Sequence, residues 1–200
     1  MPTLAFESTH FAQSRIVCGV DEAGRGPWAG PVVAAAVILN PATIPPGLND
    51  SKKLTEAKRE ALFAPIMHSA IVGVGIITAA RIDEINILRA THEAMQIAVS
   101  QLSTPPHIAL VDGNRAPHLL CTVETIIGGD AKSLSIAAAS IIAKVTRDRI
   151  MRGLDRQYPE YFFAAHKGYG TAAHAAALAR HGPCPEHRTS FAPIRALLAN

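Results

Sequence analysis

Cysteine is scarce. Cys18, Cys121 and Cys184 are the only three in 200 residues, odd in number, far apart and without a CxxC or Cys/His zinc spacing. A disulfide framework and a zinc finger are excluded, and reduced thiols in a reducing compartment are expected, with Cys18 and Cys121 as small buried hydrophobes. Aromatic residues make up only 5%, so the core must come from Ala, Val, Ile and Leu, and a surface that stacks successive unpaired bases is disfavoured. Long hydrophobic runs are missing as well. The longest, Val32 to Leu39, is far below the ~20 residues that span a bilayer. Residues 1–15 carry Glu7 and scattered polar groups where a signal peptide would be continuously apolar. Neither membrane nor export is indicated, and a cytoplasmic location is expected. Charge is sparse too, at 18% Asp, Glu, Lys and Arg with a net +3. That mild excess favours a polyanionic partner without identifying one.

What is present is enough apolar material, 48% of the chain, to bury the core of one domain covering residues 1–200. Residues 1–15 are expected as a flexible lead-in. Ile16 to Val20 and Val32 to Leu39 read as buried strands, followed by a helix over Thr55 to His68 and a strand over Ala70 to Ile77. Ala79 to Leu102 reads as one or two helices ending before Pro105-Pro106, then strands at His107 to Val111 and Cys121 to Ile127. Ser133 to Tyr158 carries the strongest helical pattern, with Ala137, Ala138, Ala139 and Ser140 small enough for close approach to a sheet. Helices at Ala172 to His181 and at the C-terminus complete an extension over about 159–200. The expected class is α/β, a five-stranded sheet flanked by helices.

Three segments present acids at turn-facing ends of apolar elements: Asp21-Glu22, Asp112 before Gly113-Asn114, and Asp130 just ahead of the long helix. Each alone could cap a helix or fix a turn. If they converge, four carboxylates surround one point, a self-repelling arrangement that calls for Mg²⁺ or Mn²⁺. Two such ions suit an in-line phosphoryl displacement by water. Asp83, Glu84, Asp148 and Asp155 fall within helix-like stretches and read as surface charges. Arg149, Arg152 and Arg156 recur at helical spacing and read as a solvated face.

Gly24-Arg25-Gly26 follows the acidic pair directly. Bare glycine backbone and a guanidinium approach a phosphodiester closely. The turn lacks the GK[ST] ending of a P-loop, and Pro27 and Pro31 rule out a GxGxxG motif opening a helix, so a nucleotide cofactor is disfavoured. His166-Lys167-Gly168-Tyr169-Gly170-Thr171 offers an aromatic face, a cation and close backbone approach in one loop. An ordinary loop tyrosine is the equal alternative there. His187-Arg188 with Ser190-Phe191 offers either another phosphate contact or a structural corner that docks the terminal helix, and the corner is favoured.

Taken together these motifs resemble the bacterial ribonuclease HII family. The resemblance runs from about Val17 to Leu198. It rests on Asp21-Glu22-Ala23-Gly24-Arg25-Gly26-Pro27, Asn49 to Leu54 (NDSKKL), Val111-Asp112-Gly113, Gly129 to Ser133 (GDAKS), Ala137 to Asp148 and His166-Lys167-Gly168-Tyr169. Trp28 departs from the small aliphatic residue expected beside the turn.

The resemblance implies a ribonuclease H-like fold with a mixed sheet and a helical C-terminal extension. It implies an endonuclease that cuts the RNA strand of RNA/DNA hybrids and cuts 5′ of single ribonucleotides in duplex DNA, leaving 3′-hydroxyl and 5′-phosphate, with roles in ribonucleotide repair and replication. The four acids, Asp21, Glu22, Asp112 and Asp130, would be both catalytic and metal-binding. Gly24, Arg25, Gly26 and Tyr169 would recognise the ribonucleotide junction, and Lys52 would contact phosphate. A monomer without a membrane is expected. Two other readings stay open: a different carboxylate-metal nuclease of the same fold, separated by its indifference to a 2′-hydroxyl, and a non-catalytic hybrid-binding module, separated by metal-independent binding.

Overall fold

A computed structural model describes residues 1–199; Asn200 lies outside the described residues. Five strands form one sheet: β1 (Val17–Ala23), β2 (Val32–Leu39), β3 (Ala70–Ile77), β4 (Ile108–Asp112) and β5 (Thr122–Ile126). The spatial order is β3-β2-β1-β4-β5, so the first strand is central. β1, β2 and β3 pair antiparallel, while β4 and β5 run parallel to β1. The sheet is therefore mixed, and its parallel half brings the ends of β1 and β4 to the same edge.

The uninterrupted apolar run of β2 is explained by burial on both faces. Ala35, Val37 and Leu39 pack beneath α5 (Leu134–Gln157) with Ile66 of α2 (Glu56–Ser69). Val32, Ala34 and Ala36 face α4 (Ile87–Ser100) and α3 (Ala79–Ile85) on the other side, where Ala90, Ala94 and Ala98 meet the sheet. Small residues on both surfaces let backbones approach. A Cβ at Gly73 or Gly75 of β3 would lie 2.0 Å from the carbonyl oxygen of Ala98 or Ala94. The break between α3 and α4 falls at Asn86, whose φ is +68° and whose Oδ1 accepts from the N–H groups of Leu88 and Arg89.

Two expectations require correction. β1 continues three residues past Val20, because the ladder with β2 carries on through Asp21↔Ala35, Glu22↔Ala34 and Ala23↔Val33. The lead-in, expected as a flexible segment, contains a helix, α1 (Ala5–Phe11). Glu7 is fully buried there, accepting from the Ser133 hydroxyl at 2.6 Å and the Ser135 N–H at 2.9 Å. A carboxylate at that point satisfies orphan donors at the start of α5 and meets the positive end of its dipole.

After α5 come the short α6 (Phe163–His166), α7 (Ala172–His181) and α8 (Ala192–Leu198). They pack around Phe163, Tyr161, Leu178 and Ile194 as a separate small core beside Met151 of α5. No described helix is long and apolar enough to cross a membrane.

Candidate active site

Parallel pairing of β1 with β4 ends at Val20↔Val111, so Asp21 and Asp112 are the next residue on each strand. Asp130 reaches them from the turn after β5. Gly128 adopts φ +64°, a one-turn helix spans Gly129–Ala131, and the Gly129 N–H donates to Asp112 Oδ1 at 2.7 Å. The start of α5 is held down on β1 by Gly19, where a Cβ would lie 2.1 Å from the Ser135 backbone carbon. Residues 19 and 21 share one face of the strand, so this close approach also fixes the distance from Asp130 to Asp21.

One carboxylate oxygen each from Asp21, Asp112 and Asp130 lies within 4.8 Å of the other two. Asp21 and Asp130 are 4% and 5% exposed. Burial, then the charges of Glu22 and Asp112, push the Asp21 carboxyl well above its ordinary range. Burial and Asp112 raise Asp130 in the same direction. An all-oxygen donor set of crowded, buried acids fits a hard divalent cation.

Glu22 stands outside this trio. Alternation along the strand turns it to the opposite face, where Arg25 Nη1 lies 3.5 Å from its Oε1. Burial raises its pKa, Arg25 opposes the rise and Asp112 adds to it, so the group still senses the cluster. Lys52 enters from a turn capped by Asp50, which accepts from the Lys52 N–H. Its ammonium is 3.4 Å from Asp130 Oδ2, with the side chain 79% exposed. Partial burial depresses its pKa, but Asp130 and Asp21 outweigh this and hold it above the usual value.

The Gly24-Arg25-Gly26 turn, which follows the Asp21-Glu22 pair, meets the Tyr169 loop. A Cβ on Gly26 would lie 3.7 Å from the Tyr169 ring. The Trp28 N–H donates to the Gly168 carbonyl at 2.8 Å, joining the two loops by their backbones. The Trp28 ring occupies the space a side chain on Gly170 would need, and this packing is how the protein accommodates the large residue there.

The family model described as Ribonuclease HII matches residues 18–194. The chain belongs to the ribonuclease HII family. It is 56% identical over 200 residues to a ribonuclease HII of Parvibaculum lavamentivorans, covering all of this chain and 74% of that one. It is 55% identical over 195 residues to one from Burkholderia pseudomallei, covering 97% and 89%. Among solved structures, the ribonuclease H2 of Pyrococcus horikoshii is similar with a TM-score of 0.75 and 31% identity, over 90% of this chain and 96% of that one. The fold is ribonuclease H-like, and the chain is a ribonuclease H endonuclease.

Two residues that frame this ribonuclease HII site escape sequence reasoning in whole or part. Arg147 on α5 is 1% exposed and donates to the carbonyls of Pro31 (2.9 Å), Ala29 (3.1 Å) and Lys167 (2.9 Å). Arg188 is fully buried and donates to Gly24, Arg25 and Gly30 carbonyls at 2.6 to 3.0 Å. Burial pushes these guanidinium pKa values down to about 10 and about 9. Gly24, at φ +98°, must be glycine because a Cβ would sit 2.1 Å from Arg147 Nε. The expected structural corner at His187-Arg188 is therefore the underside of the Gly-Arg-Gly turn.

Three of the acids expected as surface charges fasten their helices to neighbouring segments, Asp148 from a buried position and Asp83 and Asp155 from partly exposed ones. Asp148 is 2% exposed and pairs with Lys144 at 2.7 Å and Arg59 at 3.8 Å. Asp83 accepts from the N–H and hydroxyl groups of Thr189 and Ser190, and Asp155 accepts from the Ala164 N–H. Each helix presents that acid to a neighbouring segment, which periodicity within one helix does not reveal. Arg149 and Arg152 remain partly exposed but are engaged by Glu60 and Glu56 of α2.

Proposed function

We propose that the protein hydrolyses the RNA strand of RNA/DNA hybrids and incises 5′ of single ribonucleotides in duplex DNA, leaving 3′-hydroxyl and 5′-phosphate. The convergence of Asp21, Asp112 and Asp130 at one sheet edge carries this reading. Mg²⁺ or Mn²⁺ held there would polarise the phosphoryl oxygens and supply a nucleophile at neutral pH. Asp21 and Asp112 would be the principal ligands, fixed by their strands and by the Gly129 N–H. Asp130, on the turn before α5, completes the set. Glu22 orients Arg25 at one rim and contributes negative charge from the adjacent face. No covalent enzyme intermediate is needed.

Recognition is assigned to the paired loops. Arg188 donates to the Gly24 and Arg25 carbonyls and draws them inward. In trans peptides the next N–H points the opposite way, so the N–H groups of Arg25 and Gly26 face outward. Outward donors suit a 2′-hydroxyl, which DNA lacks. The Tyr169 ring, 47% exposed beside Gly26, suits the adjoining deoxyribose. Lys52 and Arg25 suit flanking phosphates. The working unit is a cytoplasmic monomer in this proposal.

The test is incision of a DNA duplex containing one ribonucleotide, beside an all-DNA duplex and a uniform hybrid, in Mg²⁺, Mn²⁺ or chelator. Metal-dependent incision 5′ of the ribonucleotide, with the all-DNA duplex intact, is expected. Cleavage of all-DNA duplex at a comparable rate would overturn the substrate assignment.

A further inference from the structure

Behind the Tyr169 loop lie two buried histidines that the proposed chemistry does not use. His174 on α7 is 0% exposed and His187 is 2% exposed. His174 Nδ1 is 3.0 Å from the Tyr169 carbonyl oxygen, His174 Nε2 is 2.9 Å from His187 Nε2, and His187 Nδ1 is 2.9 Å from the Cys184 amide nitrogen.

These contacts admit one set of protons. The Tyr169 carbonyl can only accept, so His174 Nδ1 carries hydrogen and its Nε2 presents a lone pair. His187 Nε2 must then donate to it, which leaves His187 Nδ1 as the acceptor for the Cys184 N–H, with the thiol sulfur 3.2 Å away. His166 is fixed likewise. Its Nε2 donates to the Tyr161 carbonyl at 2.7 Å, its Nδ1 accepts from the Gly168 N–H, and its ring stacks on His174 at 4.4 Å. A proton added to His174 Nε2 would set N–H against the N–H of His187, and one added to His187 Nδ1 would face the Cys184 N–H at 2.9 Å, with the Cys184 carbonyl oxygen farther off at 3.3 Å. Burial pushing both down to about 4 agrees with neutral rings.

We propose that His187 and His174 are positioning residues that set Tyr169 against the Gly-Arg-Gly turn, through the directed chain Cys184 N–H to His187 to His174 to the Tyr169 carbonyl. The segment needs such support. Lys167 and Gly168 have φ of +53° and +81°, the first costly for a residue with a side chain. The Tyr169 side chain is half exposed, whereas its backbone carbonyl is held by His174 and by the Thr171 N–H at 2.9 Å. Position is thus imposed on the ring from its backbone side. The chain also ties the Tyr169 loop to residues 184–188, and so to Arg188 beneath the turn.

The inference rests on Tyr169 acting in junction recognition, and the experiment separates the two. The quantity read is the ratio of kcat/KM for a single-ribonucleotide duplex to that for a uniform hybrid, in wild type, Tyr169→Ala, His187→Gln and His187→Phe. Glutamine keeps an N–H near the Nε2 position, whereas phenylalanine keeps the ring and loses the donor. His187→Phe is expected to lower the ratio about tenfold through KM with kcat retained, and His187→Gln to stay within about twofold of wild type. A ratio lost in Tyr169→Ala but unchanged in His187→Phe would overturn the positioning role alone. An unchanged ratio in Tyr169→Ala would overturn the recognition reading itself. Should His187→Phe fail to fold, ¹⁵N spectra of the wild-type histidines decide: Nδ1–H on His174 and Nε2–H on His187 are expected at pH 7, and the reverse pair would refute the chain.

Discussion

Substituting alanine at Gly19 tests how the acids are brought together. The added Cβ would sit 2.1 Å from the Ser135 carbonyl carbon and 2.3 Å from the Ile136 nitrogen, both backbone atoms of α5, where ordinary contact begins at 3.4 Å. No rotamer relieves that, so the start of α5 must retreat from β1 by about 1.3 Å. Asp130 moves with it, away from Asp21 and Asp112. Overpacking of this kind costs about 1–3 kcal/mol, and more where backbone meets backbone. A displacement of about 1 Å at a catalytic centre costs on the order of 100-fold in rate. The same change at Gly153, in α5 with nothing within 4 Å, should stabilise by about 0.5–1 kcal/mol through helix propensity. Urea unfolding and hybrid cleavage, corrected for folded fraction, measure both variants. Gly19→Ala with wild-type stability and kcat would refute the claim that this contact sets the spacing of the acids.

Three other outcomes follow from the same geometry. Because burial and neighbouring carboxylates raise the folded pKa of Asp21, the metal-free fold loses stability as pH rises through that pKa; Asp21→Asn should therefore raise the melting temperature in chelator by about 2–4 °C and lose the stabilisation that Mg²⁺ gives wild type. Arg188→Leu strands the buried Gly24, Arg25 and Gly30 carbonyls and should cost about 3–5 kcal/mol; Arg188→Lys should recover part, and a loss under about 1 kcal/mol for leucine would contradict the account. His174 and His187 are neutral in the fold with pKa values of about 4, below the 6.5 of a free imidazole. Their contribution is complete above pH 6.5 and disappears as pH falls toward 4, on the order of 3 kcal/mol for each if independent. Urea midpoints from pH 7.5 to 4.5, taken against His187→Gln, should show the steeper fall in wild type.

The central strands β1, β2 and β4 were legible because burial on both sheet faces leaves continuous β-branched and alanine-rich runs, with glycine and proline punctuation between them. Asp112 and Asp130 stood out for the same reason, each directly after or before a strong pattern. Period-two alternation could have placed Asp21 and Glu22 on opposite faces, but extension of β1 through both residues depends on pairing with β2, a partner the local sequence does not announce. The helix Ala5–Phe11 has no apolar stripe of its own; Glu7 holds it through bonds to residues more than 120 positions away. Arg188 is legible in sequence only as part of a corner, and Arg147 only as one position of the long helix; both are identified as internal supports once distant carbonyls converge on them.

Turnover of an RNA/DNA hybrid by Asp21→Asn, beside wild type in saturating Mg²⁺ and with hybrid affinity measured on both, tests the central claim most directly. The account predicts that the variant binds the hybrid with affinity close to wild type and does not cleave it. Cleavage by Asp21→Asn at the wild-type rate would remove the carboxylate cluster from the chemistry.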